Sequence, residues 1–149
     1  MLKGAFRSVP LGGEGETFMP YVRVSVIKAR RVSHEVDGLL DTGSAANIIS
    51  FSSSKALLGM SQEEVCKGRQ LSIVGLGGAP FMAYGWQVDL RLRATTSSID
   101  QFLWQGVWIY ACDMALPTGQ ILIGQRSGLE EKVFVHLNRA QKRYWQVQV

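Results

Sequence analysis

The sequence predicts an all-β fold, a small closed barrel or sandwich carrying one to three short helices, and three observations carry that prediction. Strand periodicity recurs along the chain. Val22, Val24 and Val26 alternate with Arg23 and Ser25, and Trp86, Val88, Leu90 and Leu92 alternate with Gln87, Asp89, Arg91 and Arg93. A period of two sends successive side chains to opposite faces of a sheet. Turn chemistry punctuates these runs, as in Gly75 to Pro80 and Pro117-Thr118-Gly119. Helical signals are confined to three short stretches. Many short strands with little helix point to a barrel or sandwich. The chain has 149 residues, a length that favours one domain with a core large enough to need no staples.

Residues 1–17 are rich in glycine and poor in apolar periodicity, and read as a flexible N-terminal arm; the domain proper is expected over residues 18–149. The run through Val22 to Val26 is the first strand, and Lys28 to Ser33 turn the chain. Val36 to Leu40 form a strand that ends at Asp41, and Ala46 to Ser50 form another leaving it. Ser52 to Leu58 reads as a helix stopped by Gly59. Ser61 and Glu64 fit a capping box for a second helix, with Gly68 as its stop. Leu71 to Val74 and Gly85 to Arg93 frame a glycine-rich segment. Thr95 to Asp100 is a polar turn, and Phe102 to Ala111 an aromatic-rich strand expected to be largely buried. Ile121 to Ile123 is a short strand, and Ser127 to Lys132 a short helix. Phe134 to Leu137 and Tyr144 to Val149 are closing strands.

The stretch Leu39-Leu40-Asp41-Thr42-Gly43-Ser44-Ala45 concentrates the chemistry. An apolar run holds a strand in the core and releases a carboxylate where that strand turns out. Gly43 permits a tight turn without a Cβ in the way. Thr42 and Ser44 are hydrogen-bond donors, which favour an ionised carboxylate. All three residue types of Asp41-Thr42-Gly43 are also common in plain turns, so the tripeptide alone does not separate a catalytic carboxylate from a turn.

Two later stretches add to it. Ile73-Val74-Gly75-Leu76-Gly77-Gly78-Ala79-Pro80 is a glycine-rich hairpin, and Ile121-Leu122-Ile123-Gly124-Gln125 is an apolar-apolar-glycine segment. Taken in this order, the three resemble the active-site loop, flap and second loop of the retropepsin-like aspartic proteases, over roughly residues 18 to 149. The resemblance implies a closed retropepsin-like barrel with a flap hairpin, and an endopeptidase in which two aspartates share one proton. That shared proton is a known property of aspartic proteases and comes with the resemblance. The chain supplies one such motif, since Asp37, Asp89, Asp100 and Asp113 lack the following hydroxyl and glycine. The resemblance therefore implies a homodimer with Asp41 near its axis.

By the same resemblance, Thr42 braces the two loops, Gly43 offers its carbonyl to the substrate and Ser44 donates to the carboxylate. Val74, Gly75, Leu76, Gly77, Gly78, Ala79 and Pro80 cover an extended peptide, and Ile121, Leu122, Ile123 and Gly124 pack behind Asp41. The chain departs from the retroviral pattern at Ala45 and Gln125. An Asp and an Arg usually pair at those positions, so that ion pair cannot form here.

Other chemistry finds little support. The net charge is +4, with dispersed basic residues; nucleic-acid binding wants a basic stripe with aromatics placed for stacking. The glycine-rich segment lacks the Lys and Ser of a phosphate loop. His34 and His136 stand without spaced metal-ligating partners, and Ser52 to Ser54 lack a nucleophile-elbow context. Cys66 and Cys112 match no zinc motif and are expected reduced and buried. No cofactor, metal, nucleic acid or membrane is expected, and the chain reads as soluble and cytoplasmic. Two further readings stay open: a non-catalytic peptide-binding or dimerisation module on the same fold, and an interaction domain in which Asp41 is only a turn residue.

Overall fold

The two longest alternating runs of the sequence become the two longest strands, β2 (Glu16–Lys28) and β7 (Pro80–Arg93), which pair antiparallel through Val24↔Leu92 and Val26↔Leu90. The structure is a computed structural model and describes residues 2–10, 13, 15–41, 43–74, 78–94, 101–114, 116, 120–125 and 144–147. The remaining strands are β1 (Leu2–Pro10), β3 (Arg31–Val32), β4 (Val36–Leu40), β5 (Asn47–Ser50), β6 (Arg69–Val74), β8 (Gln101–Cys112), β9 (Ile121–Ile123) and β10 (Tyr144–Val147). The order β2-β4-β9-β5-β8-β7 returns to β2, so six strands close into a barrel. Its parallel pairs are β4–β9 and β5–β8. The sequence expectation of an all-β closed barrel is met.

Val22, Val24, Val26, Leu90, Leu92, Ile109, Ile121 and Ile123 fill the barrel interior. Each of these side chains contributes about 1.5–3 kcal/mol by leaving water. β5 and β9 are buried on both faces, which is why they read as continuous apolar runs rather than alternating ones. Ile49, Ile121 and Ile123 point into the barrel, whereas Ile48 and Leu122 join a second cluster outside it with Leu39, Leu71, Phe81 and Tyr110.

Two short helices cover one end. A 3-10 turn (Phe51–Ser53) leads into α1 (Ser54–Leu58), closed by Gly59 in the left-handed conformation. The expected capping box opens α2 (Gln62–Val65), with Ser61 and Glu64 bonded reciprocally. Gly68 is not the stop of this helix, whose C-cap is Cys66. It is small because a Cβ there would strike the Gly85 carbonyl and the Trp86 indole.

Two expectations need correction. Residues 2–10, read as part of a flexible arm, form β1, which pairs with β2 from Phe6↔Pro20 to Pro10↔Glu16 and with β10 from Leu2↔Val147. A strand held by backbone hydrogen bonds to its neighbours needs no apolar alternation to announce itself. β8 is continuously buried only from Ile109 to Cys112; Gln101, Leu103, Gln105 and Gly106 are exposed, and Trp104 alone is buried among them. The turns expected at 95–100 and 117–119, the helix at 127–132 and the strand at 134–137 lie outside the described residues.

The outer face of β2 carries an ion network that the sequence did not announce. Arg7 donates to both oxygens of Asp37 at 2.5 and 3.0 Å. Arg23 donates to Asp37 and to Glu35, each at 3.0 Å, and Arg93 donates to both Glu35 oxygens. Arg23 lies directly opposite Arg93 across the β2–β7 pair, a repulsive placement that Glu35 resolves by accepting from both. Residues of β1, β2, β4 and β7 are thereby tied together.

The Arg7 guanidinium holds the Asp37 carboxyl below the usual carboxylate range, and Arg93 does the same for Glu35, in each case against partial burial. A carboxyl with a lowered folded-state pKa stabilises above its unfolded value, and that stability is lost as pH falls through the folded value. The urea midpoint should therefore drop as pH is taken below about 4, and the drop should be shallower in Arg7→Gln and in Arg93→Gln. Parallel pH profiles for parent and variants would exclude the network as its source.

Candidate active site

Strand β4 delivers Asp41. Leu40 is buried and pairs in register with Ile123 of β9, and the next amide, that of Asp41, donates to the Ile123 carbonyl at 2.9 Å. The chain then turns out of the sheet. The Ser44 amide donates to the Asp41 carbonyl at 3.1 Å, and the Gly43 amide donates to Asp41 Oδ1 at 2.9 Å. The carboxylate is thus fixed by an amide two residues on, the turn chemistry that Asp favours, and remains half-exposed at the barrel end.

The Gly124 loop is bonded to this turn. The Gln125 amide donates to the Ser44 carbonyl at 2.9 Å. Gly124 lies against the Ala46 and Ser44 carbonyls, and any Cβ there would collide with both. Its amide donates to Asn47 Oδ1 at 3.0 Å, and Asn47 Nδ2 donates to the Trp108 carbonyl at 3.1 Å. Asn47 is fully buried, so its side-chain amide joins the two loops and β8 from inside. Sequence reasoning missed this residue. The available signal was an amide side chain within the otherwise apolar run Ala46 to Ile49.

The resemblance assigned the Ser44 hydroxyl to the carboxylate, but it instead donates to the Ala46 carbonyl at 2.8 Å. The carbonyls of this loop face inward around Gly124, and the hydroxyl satisfies one of them. The bond that orients the carboxylate comes from the Gly43 amide. Thr42, Gly75, Leu76 and Gly77 lie outside the described residues. Ile121 and Ile123 point into the barrel and Leu122 into the outer cluster, so this segment packs against β4 and β5.

Asp41 opens onto a cleft of about 620 Å³. Gly43 and Ser44 border it at the carboxylate, and Ile48, Leu71, Ile73 and Phe81 give it apolar walls. Leu71, Ile73 and Phe81 belong to the β6–β7 hairpin, which pairs as far as Val74↔Pro80. Val74 is 67% exposed at its rim. Gly78 has φ +74°, with open space around it, and Ala79 and Pro80 are exposed beside it. A carboxylate at one end of an apolar groove can act as a base or acid on a chain lying along that groove.

The other nucleophile candidates are accounted for structurally. Burial, aided by the neighbouring Asp113 carboxylate, pushes the Cys112 thiol up to about 11, so it stays protonated near neutrality. Cys66 is half-buried rather than buried. The Ser50 hydroxyl bonds those of Ser52 and Ser53. Among the described residues, no group of three His, Cys, Asp or Glu side chains could hold a metal ion, and no helix is long and apolar enough to cross a membrane.

Replacing Asn47 with a residue of similar volume and no hydrogen bonds tests the joint between the loops. Asn47→Leu should lower the unfolding free energy by about 2–4 kcal/mol, because two buried backbone groups lose partners at roughly 1–3 kcal/mol each. Denaturant unfolding checks this, and a change under about 0.5 kcal/mol would show that the joint is held elsewhere.

No family model matches this sequence, and no curated protein matches it either. Solved structures do. The chain is similar to a retropepsin-like aspartic protease from Rickettsia conorii, at 12% identity over 97% of this chain and 90% of that one, with a TM-score of 0.53. It also matches the EIAV protease complexed with the inhibitor HBY-793, at 16% identity over 83% of this chain and 93% of that one, with a TM-score of 0.39. At 12% identity the likeness to the Rickettsia conorii protein is one of fold: the protein has a retropepsin-like fold.

Proposed function

We propose that the protein is an aspartic endopeptidase that hydrolyses extended peptides as a symmetric homodimer. The observation that carries this reading is the Asp41 carboxylate, oriented by the Gly43 amide and open to an apolar cleft beside the β6–β7 hairpin. One carboxylate is not enough for the chemistry. Two copies related by a twofold axis bring the second, and mutual repulsion leaves one proton on the pair.

The ionised Asp41 takes a proton from a water molecule while that water's oxygen attacks the scissile carbonyl carbon. The protonated mate gives its proton to the carbonyl oxygen. The tetrahedral diol then collapses: the C–N bond breaks, the leaving nitrogen takes a proton from one carboxyl, and a hydroxyl returns its proton to the other. No metal or cofactor enters. Thr42 braces the paired loops, the Gly43 carbonyl accepts from the substrate backbone, and Val74 to Pro80 close over the peptide as a flap. An extended peptide in such a groove is held by strand-like backbone bonds, with alternate side chains in pockets. With Ala45 and Gln125 where an ion pair would sit, the dimer relies on other contacts, and its stability depends on concentration.

Asp41→Asn should abolish hydrolysis and leave the unfolding midpoint near that of the parent. Parent-like turnover in that variant would reject the catalytic assignment.

Specific activity should rise with protein concentration in step with the dimer seen by light scattering, and full activity in a pure monomer would rule out the shared site. In the same assay, kcat/KM should pass through an optimum at roughly pH 4 to 6, because one carboxyl must be ionised and the other protonated. Statine-type mimics should inhibit and chelators should not. A plateau extending to alkaline pH would point to different chemistry.

A further inference from the structure

Beside the Asp41 cleft, and sharing Ala46 and Leu71 with it, lies a second cavity of about 380 Å³. Its floor is aromatic: the Trp108 and Tyr110 rings stack with centroids 6.3 Å apart and planes 27° apart. The Arg69 guanidinium lies 5.1 Å from the centre of the Trp108 ring. Arg69 is exposed, and among the described residues no carboxylate pairs with it.

A β-bulge puts the aromatic pair there. Val88 pairs with Val107 and Leu90 with Trp104, so Asp89 faces two residues, Gln105 and Gly106. Gly106 takes the left-handed conformation at φ +65°, as one class of bulge requires. Its amide donates to Asp89 Oδ1 at 2.8 Å, and its carbonyl accepts from Gln87 Nε2 at 2.9 Å. The extra residue reverses the alternation of β8. Trp104 points into the barrel; beyond the bulge Ile109 and Ala111 do so, while Trp108 and Tyr110 join the outer cluster beside the cleft.

We propose that this cavity is a specificity subsite for an acidic side chain, Glu or Asp, of the same peptide that occupies the Asp41 cleft. The inference rests on the reading of that cleft as a peptide groove. The methylene stem of the side chain lies on the Trp108–Tyr110 floor, and its carboxylate meets the Arg69 guanidinium. A guanidinium stacked on a ring keeps its edge free, and that edge matches a carboxylate in two parallel hydrogen bonds. Side chains on one face of an extended peptide recur about every 7 Å, so a residue outward from the scissile bond reaches a pocket that adjoins the catalytic cleft.

The test walks one position of a fluorogenic peptide through Glu, Gln and Lys, and measures kcat/KM for the parent and for Arg69→Glu. It also measures binding of the same labelled peptides to Asp41→Asn by fluorescence anisotropy. At one outer position the parent should prefer Glu over Gln by about two- to fivefold at low salt, and Arg69→Glu should prefer Lys. The binding order should match the cleavage order, and Arg69→Gln should level it. Cleavage with no preference for Glu at any position would overturn the subsite and leave the peptidase reading standing. Glu-selective binding that depends on Arg69, with no cleavage by the parent, would sustain the subsite and overturn the peptidase reading. Absence of both binding and cleavage would overturn both.

Discussion

The contact between the Asp41 turn and the Gly124 loop is the constraint on which the rest of this structure depends. Two backbone hydrogen bonds, Asp41 to Ile123 and Gln125 to Ser44, join the loops, and Gly124 can sit between the Ser44 and Ala46 carbonyls only because it has no Cβ. β5 and β9, which adjoin these loops, are buried on both faces, so the backbone polar groups at their ends cannot turn to water. An unpaired group there would cost about as much as a lost buried hydrogen bond. Asn47 removes that cost by serving Gly124 and Trp108 together. In the proposed chemistry a carboxylate held this way would need little reorganisation, which is how a fixed site lowers a barrier.

Elements built on local patterning were legible in the sequence. The alternation of β2 and β7, the capping box at Ser61 and the release of Asp41 from an apolar strand all follow from residues close together in the chain. What escaped depends on partners far away. β1 is held by backbone pairing and by Arg7 to Asp37, thirty residues apart, and nothing in residues 2–10 encodes that partner. Asn47 drew no notice because the two groups it serves, at Gly124 and Trp108, are far from it in the chain. Gly106 lies unmarked inside the run Phe102 to Ala111, yet the bulge it forms reverses the facing of everything after it in β8. The direction of the Ser44 hydroxyl was decided by a carbonyl two residues on, which a family pattern cannot specify.

The ion network and the proposed chemistry place related demands on acidity. A site needing one protonated carboxyl works on the acid side of neutrality, where paired carboxylates elsewhere begin to lose their charge. Asp37 and Glu35 are each engaged by two guanidinium groups, and their lowered pKa values keep them ionised further into acid than free carboxyls. Glu35 also keeps Arg23 and Arg93 from facing each other uncompensated. The barrel wall that carries β4, and so Asp41, is thereby held together through the pH range in which the site would operate.

The pairing of β1 with β10 sets Leu2 against Val147, so the first and last described strands are neighbours. This has a kinetic consequence. Such a contact closes a loop spanning nearly the whole chain, and the parallel β4–β9 pair, with Gly38 against Ile121, closes another long one. The entropy of ordering these loops must be met before their contacts form. The β1–β2, β6–β7 and β7–β8 hairpins can assemble early from near neighbours, whereas the β1–β10 and β4–β9 pairs come late. Folding should accordingly be slow for a chain of this size, with the β1–β10 and β4–β9 pairs the last to form.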